Sequence, residues 1–274
     1  MSGLPDKIDK RLEEIERIVN SDQQLNFSGD FCVGIDLGTA DIILLVTDEA
    51  GWPLAAFLEW AEVVRDGIVL DYWGAIDIVK KLVARAEKKL NIEIKSAVTS
   101  YPPGTDPRTS KNVLIAAGLK VDGIVDEPSS VAHLLQIESG AVVDVGGGTT
   151  GIAVVQHSKI IYTADEATGG RHLTLTIAGN QKTSYEQAEQ MKLDSTQSRI
   201  LLPMVRPVFQ KIADIVNTHI SGKQVDRLYL AGGTCCFPGI EEIFQDEIGN
   251  KEIIRPYHPL YLTPLAIAAY KPLK

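Results

Sequence analysis

Two stretches of this chain repeat one pattern at long range, and that duplication restricts the fold more than any other feature. Residues 33–46 read VGIDLGTADIILLV and residues 142–155 read VVDVGGGTTGIAVV. Each is an apolar strand that reaches an Asp, a glycine turn carrying Thr, and a second apolar strand. Asp36 and Asp144 lie 108 residues apart (144 − 36). Solenoid repeats recur every ~20–50 residues, so this spacing describes two duplicated domains.

The pattern around each copy is the same. In the first half, strands are expected at 31–37, 40–47 and 53–60, a helix at 72–90, a strand at 96–100, a helix at 108–117, a strand near 123–126 and a helix near 129–136. The second half restarts with strands at 141–144, 151–156 and 159–164. Helices follow at 184–192 and 195–220, then a strand at 227–230, a helix near 239–247 and a short helix at 263–270. Strand triplets alternating with helices indicate an α/β fold. The expected division is 1–29 as an N-terminal helix and linker, 30–138 as the first domain joined by 260–274, and 139–259 as the second. In the helix at 5–20, Ile8, Leu12, Ile15 and Val19 make an apolar stripe. The stripe has two readings, a tail that binds a partner or a helix docked on its own domain.

Charge and composition remove several classes of function. With 36 acidic against 27 basic residues the formal net charge is −9, which disfavours nucleic acid and anionic membrane as partners. No apolar run approaches ~18 residues, and the charged N-terminus carries no secretory h-region, so a cytoplasmic location is expected. Cys32, Cys235 and Cys236 form no C-x-x-C pair and read as reduced thiols. The five histidines have no zinc-ligand spacing. The tryptophans Trp52, Trp60 and Trp73 are expected in the core or on a subdomain surface, and Lys80-Lys81 and Lys88-Lys89 on the solvated face of their helix.

A glycine turn between strands exposes backbone N–H groups that can converge on phosphate oxygens, and Thr hydroxyls add donors. An Asp beside such a turn repels phosphate unless a divalent cation lies between them. Asp36 and Asp144 are therefore candidate Mg²⁺ ligands, with Gly38, Thr39, Gly146, Gly147, Gly148, Thr149 and Thr150 around the phosphates.

These motifs resemble those of the actin/DnaK ATPase superfamily. Asp36-Leu37-Gly38-Thr39 is similar to its first phosphate motif and residues 144–150 to its second. Asp126-Glu127-Pro128 is similar to its connecting motif. Gly169-Gly170 before a helical stretch matches in position. Ala231-Gly232-Gly233-Thr234 with Pro238-Gly239 is similar to its adenosine motif. The resemblance implies a duplicated ribonuclease H-like fold, with reduced B subdomains here and ATP and Mg²⁺ in the cleft between two domains. It narrows further: VVRDGIVLDYWGA, PPGTDPR, ADEATGGRHLTLTIAGN and LYLAGGTCCFPG look like the EutJ family of ethanolamine-utilisation operons. That implies a chaperone-type ATPase associated with ethanolamine ammonia-lyase or with microcompartment proteins.

The chain departs from DnaK-type members at several places. Gly151 stands where they carry a second acidic residue. There is no room between Trp60 and Gly67 for the insertion that bears their phosphate-contacting Lys. Cys235-Cys236 replaces the basic residue that stacks on adenine. Glu127 is left as the candidate for placing the attacking water, or else as an acid at a helix N-terminus. A slow ATPase acting as a conformational switch is the leading expectation. A small-molecule kinase and a non-hydrolysing scaffold are the alternatives.

Overall fold

A computed structural model describes residues 6–61, 64–65 and 68–270. The expected helical position of Pro5 and the end of the closing segment, 271–274, lie outside the described residues. The chain runs α1 (Asp6–Ile18), β1 (Phe31–Leu37), β2 (Asp41–Asp48), β3 (Pro53–Trp60), β4 (Val64–Arg65), β5 (Ile68–Val69), α2 (Tyr72–Leu90), β6 (Ser96–Tyr101), α3 (Arg108–Ala116), β7 (Lys120–Asp126) and α4 (Glu127–Leu134). The second half is β8 (Gly140–Val145), β9 (Thr150–Gln156), β10 (Lys159–Glu166), α5 (Gly170–Gln181), α6 (Tyr185–Leu193), α7 (Ser198–Ile220), β11 (Arg227–Ala231), α8 (Ile240–Ile248), β12 (Glu252–Ile254) and α9 (Leu262–Ala268).

The duplication is visible in the strand order. One sheet is β3-β2-β1-β6-β7 and the other β10-β9-β8-β11-β12. In both, the first three strands pair antiparallel, and the first strand pairs parallel with the fourth. Asp36 and Asp144 occupy equivalent places, opposite Ile43 and Gly151. Among the described residues no helix is long and apolar enough to cross a membrane.

Three apolar clusters hold the layers together. One packs α2 and α3 on the first sheet, and another packs α5, α7 and α8 on the second. The third lies between the sheets and gathers Val131 and Leu135 near α4, Leu265 and Ala268 of α9, and Val142 and Tyr229 of the second sheet. Strands buried on both faces read as continuous apolar runs, which is why residues 42–46 and 152–155 show no polar alternation.

The N-terminal helix is part of this body, which decides between its two readings. Ile8, Leu12, Ile15 and Ile18 are buried in the cluster between the sheets, Leu12 and Ile15 completely. Past the helix, Asn20 clamps the free edge of β3. Its N–H donates to Ala56 O at 2.9 Å, its Nδ2 donates to Leu58 O at 2.9 Å, and its Oδ1 accepts from Leu58 N at 3.1 Å. Covering a sheet edge in this way removes a template for unwanted strand pairing. Lys89, expected in solvent, is 5% exposed beneath α1. Its Nζ lies 5.7 Å from the Phe57 ring centre and donates to Ile18 O at 3.5 Å. Burial lowers its pKa. Trp52, Trp60 and Trp73 lie at the surface, Trp73 at 74% exposure.

Two expectations change in detail. The strands β4, β5 and β12 were not anticipated, because two or three residues are too short to show a period. The helix expected from 129 begins at Glu127, with Asp126 as its cap: Asp126 Oδ1 accepts from Ser129 N at 2.9 Å.

Candidate functional site

The ends of β1 and β8, the two glycine turns that follow them and the end of β11 enclose a cavity of about 390 Å³ between the halves. Gly38 and Thr39 line it from one side, Gly146, Gly147, Gly148 and Thr149 from the other, and Gly232, Gly233 and Thr234 close it. Asp36, Glu127 and Asp144 also face it. The motifs read separately along the chain therefore converge on one space. A second cavity of about 750 Å³ adjoins it through Thr39, Ala40, Trp60 and Gly147.

The turns leave donors unused. Among the described residues, the N–H groups of Gly38, Thr39, Gly147 and Gly148 donate to no backbone carbonyl, whereas Gly146 N closes its own turn on Thr149 O at 2.9 Å. The two turns also meet: a Cβ on Gly147 would lie 3.0 Å from Ala40 Cβ. Gly232 is required by both conformation and space. Its φ is +87°, and a Cβ there would come 2.4 Å from Asp144 Oδ1, so only glycine brings the end of β11 against that carboxylate.

Three of the anticipated residues stand behind the site. Thr150 is buried and its hydroxyl donates to Thr168 O at 2.7 Å. Gly170 N donates to Gly146 O at 2.9 Å, and Gly169 packs so closely that a Cβ would fall 2.6 Å from the same oxygen. Their work is to brace the second glycine turn, since their polar groups are occupied within the protein. Thr234 lines the cavity and braces as well, its hydroxyl donating to Gly146 O at 2.8 Å.

The electrostatics are one-sided. Burial, reinforced by Asp144, pushes the Asp36 carboxyl up to about 7, against a donated hydrogen bond from Ser100. Burial and the neighbouring acids Asp36 and Asp144 raise Asp41 to about 7. Asp144, 8% exposed, is raised by burial to about 6 and held down by Thr263. Glu127 is raised well above the usual carboxylate range by burial and then by Asp36 and Asp144. Because Asp126 caps α4, the Glu127 carboxyl is left to the cavity, 3.3 Å from Ser100 Oγ. Carboxylates crowded together in this way are a donor set that a divalent cation can neutralise. No three of the described acidic, His or Cys side chains converge to chelate a bare ion. The two facing carboxylates Asp36 and Asp144 are the number that Mg²⁺ takes when it keeps several waters and binds phosphate oxygens.

Sequence reasoning missed Asp41, which follows the first glycine turn directly, and Ser100 and Thr263, which enter through tertiary contact. It also missed Lys192, a cation on the wall of the cavity, which donates to Glu189 Oε2 at 2.8 Å and to Thr174 Oγ1 at 3.0 Å. The only sequence trace of this pair is a Glu-x-x-Lys step on α6, the spacing of any surface ion pair.

The chain matches the family model of the type IV pilus assembly protein PilM over residues 132–265. It shares its fold with MreB 5 of Spiroplasma citri, solved bound to AMPPNP (TM-score 0.69, 16% identity, covering 88% of this chain and 95% of that one). The crystal structure of ethanolamine utilization protein EutJ from Carboxydothermus hydrogenoformans superposes with a TM-score of 0.91 at 43% identity, over 97% of this chain and 98% of that one. Ethanolamine utilization protein EutJ of Escherichia coli (strain K12) is 49% identical over 237 residues, 86% of this chain and 84% of the relative. With an actin-like fold and relatives matched over nearly their full length, this chain belongs to the EutJ family of ethanolamine utilization proteins.

Proposed function

We propose that the cleft binds Mg·ATP and that the protein works as a nucleotide-dependent switch on a partner in ethanolamine utilisation, ethanolamine ammonia-lyase or a microcompartment protein. The observation that carries this reading is the pair of facing glycine turns with unused N–H groups, flanked by Asp36 and Asp144. The N–H groups of Gly38, Thr39, Gly147 and Gly148 would take the phosphate oxygens. Gly232 and Gly233 would floor the nucleoside, and Asp36 and Asp144 would hold the cation. Bound Mg²⁺ supplies the neutralising charge that phosphoryl transfer requires.

Hydrolysis needs a placed water and a proton acceptor. Glu127 Oε1 is the candidate acceptor, with Ser100 Oγ at 3.3 Å from it and 2.9 Å from Asp36 Oδ1. One hydroxyl proton cannot serve both carboxylates. Ser100 Oγ donates to Asp36 Oδ1, the nearer of the two, which leaves the Glu127 carboxyl to the cavity. A cation beside Asp36 and Asp144 favours ionised carboxyls, so metal loading would free Glu127 to accept a proton. Ligand that contacts both turns would favour the closed cleft, and loss of the terminal phosphate would weaken closure.

The test is calorimetric titration of the full chain with ATP, with and without Mg²⁺, and phosphate release with and without ethanolamine ammonia-lyase. Binding with release that the lyase alters supports the switch. Binding without release selects the scaffold alternative, transfer of phosphate to an added alcohol or carboxylate selects the kinase, and no binding overturns the reading.

A further inference from the structure

The acid absent at position 151 has a counterpart on the neighbouring strand. In the pairing of β9 with β10, Asp165 stands opposite Gly151. A Cβ built on Gly151 would lie 3.7 Å from Asp165 Oδ1 and 3.3 Å from Cδ of Pro128. The bare glycine thus leaves a space that the Asp165 carboxylate borders, beside the start of α4. Oδ1 of Asp165 is buried and has no hydrogen-bond partner among the described residues, a state that buried polar atoms rarely adopt. The Thr149 hydroxyl stands near enough to hold the Asp165 pKa down, and Thr149 lines the cleft whereas Thr150 turns inward to Thr168.

We propose that Asp165 is a positioning residue for the phosphate end of the cleft, acting through Thr149. A threonine hydroxyl has one proton and two lone pairs. While Asp165 accepts that proton, Thr149 must turn its lone pairs into the cleft, where they can accept from waters on a Mg²⁺ ion, which sheds its hydration reluctantly. Without an acceptor behind it the hydroxyl can rotate, and this preorganisation is lost. The groups around Asp165 fit the role. Burial and the acids Asp144, Glu166 and Asp126 raise it to about 7, while Thr149 lowers it. This inference rests on the nucleotide reading of the cleft.

The experiment is a double-mutant cycle on the full chain, measured by calorimetry with AMPPNP in the presence and absence of Mg²⁺. Asp165→Ala and Thr149→Val should each weaken Mg·AMPPNP binding about tenfold, the scale of one hydrogen bond to a charged group. Metal-free AMPPNP should change by less than about twofold. The double variant should lose no more than either single one, because both remove one interaction. Asp165→Asn, which keeps an acceptor oxygen, should recover most of the affinity. If Asp165→Ala does not fold, Asp165→Leu, closer to aspartate in shape, replaces it in the cycle. Additive losses, equal losses with and without Mg²⁺, or a parent-like Asp165→Ala would overturn the role of Asp165 and leave the nucleotide site standing. A parent that binds neither form of AMPPNP overturns the site itself, and the role of Asp165 with it.

Discussion

Thr263 donates a 2.5 Å hydrogen bond to Oδ2 of Asp144, across 119 positions of sequence. Thr263 belongs to α9, which packs against β1 and α4, while Asp144 ends on β8 of the other sheet. The bond therefore ties α9 to β8 at the cavity wall and settles a buried carboxylate at the same time. Removing its donor as Thr263→Val should raise Asp144 further above its value of about 6. A larger fraction would then be protonated at pH 7, and Mg·ATP affinity should fall about tenfold, ~1.4 kcal/mol for one such bond. Calorimetry at pH 7 and pH 8.5 checks this, since the protonation component should recover at the higher pH. A loss that is the same at both would mean that Thr263 acts by shape alone.

The acid cluster also predicts how stability follows pH. Asp36 and Asp41 rise from 3.8 to about 7 and Asp144 to about 6, so between pH ~4 and ~7 the folded chain holds more protons than the unfolded one. Stability must then decline as pH rises through that window, and level off above it. A bound cation opposes this by favouring the ionised carboxyls. Thermal midpoints should drop from pH 5 to pH 7.5 without ligand, and saturating Mg·ADP should raise them more at pH 8 than at pH 5. In Asp144→Asn, Mg·ATP binding should weaken far more than metal-free ATP binding. Equal affinity of this variant and the parent for Mg·ATP would remove Asp144 from the metal site.

The docked helix α1 gives a prediction opposite to that of a detachable tail. Leu12 is fully buried, and Leu→Ala in a core costs about 2–5 kcal/mol. At about 2–4 °C per kcal/mol for a domain of some 150–250 residues, Leu12→Ala should lower the thermal midpoint by about 4–20 °C. Deletion of residues 1–29 should lower it more, because it also removes the Asn20 clamp on β3. A truncated chain that melts with the parent would restore the tail reading.

What was legible in the sequence was whatever repeats or runs along the chain. The two Asp–glycine turns could be read because β1–β2 and β8–β9 are continuous apolar strands whose interruption is conspicuous. Contacts between distant segments could not be read. Ser100 reaches Asp36 over 64 positions, and nothing local marks it. Gly169 and Gly170 looked like ligand contacts because a glycine that lets a backbone approach phosphate has the same spelling as one that lets two backbones meet. Asp126 and Glu127 are adjacent acids with separate tasks, cap and cavity, and only their side-chain directions distinguish them. Lys89 lies in a charged run, yet α1 covers it, and a helix helps decide its neighbour's exposure only after both have docked.

The sharpest separation of binding from chemistry lies at Glu127. Its carboxyl faces the cavity rather than the helix end, because Asp126 already accepts from Ser129 N. Phosphates would be held by turn N–H groups and the cation, none of which involves Glu127. Glu127→Gln keeps size and a hydrogen-bonding group toward Ser100 but cannot take a proton. Mg·ATP affinity should therefore stay within a few-fold of the parent, while turnover falls about 10²–10⁴-fold, the usual loss for a general base or a water-positioning group. The raised Glu127 carboxyl adds a second signature. Parental turnover should climb with pH as Glu127 ionises, and the Gln variant should lose that climb. Phosphate release measured from pH 6 to pH 9 on both proteins decides the matter. If the parent hydrolyses ATP and the variant matches it in rate and in pH profile, Glu127 is an acid at a helix terminus and the proton goes elsewhere.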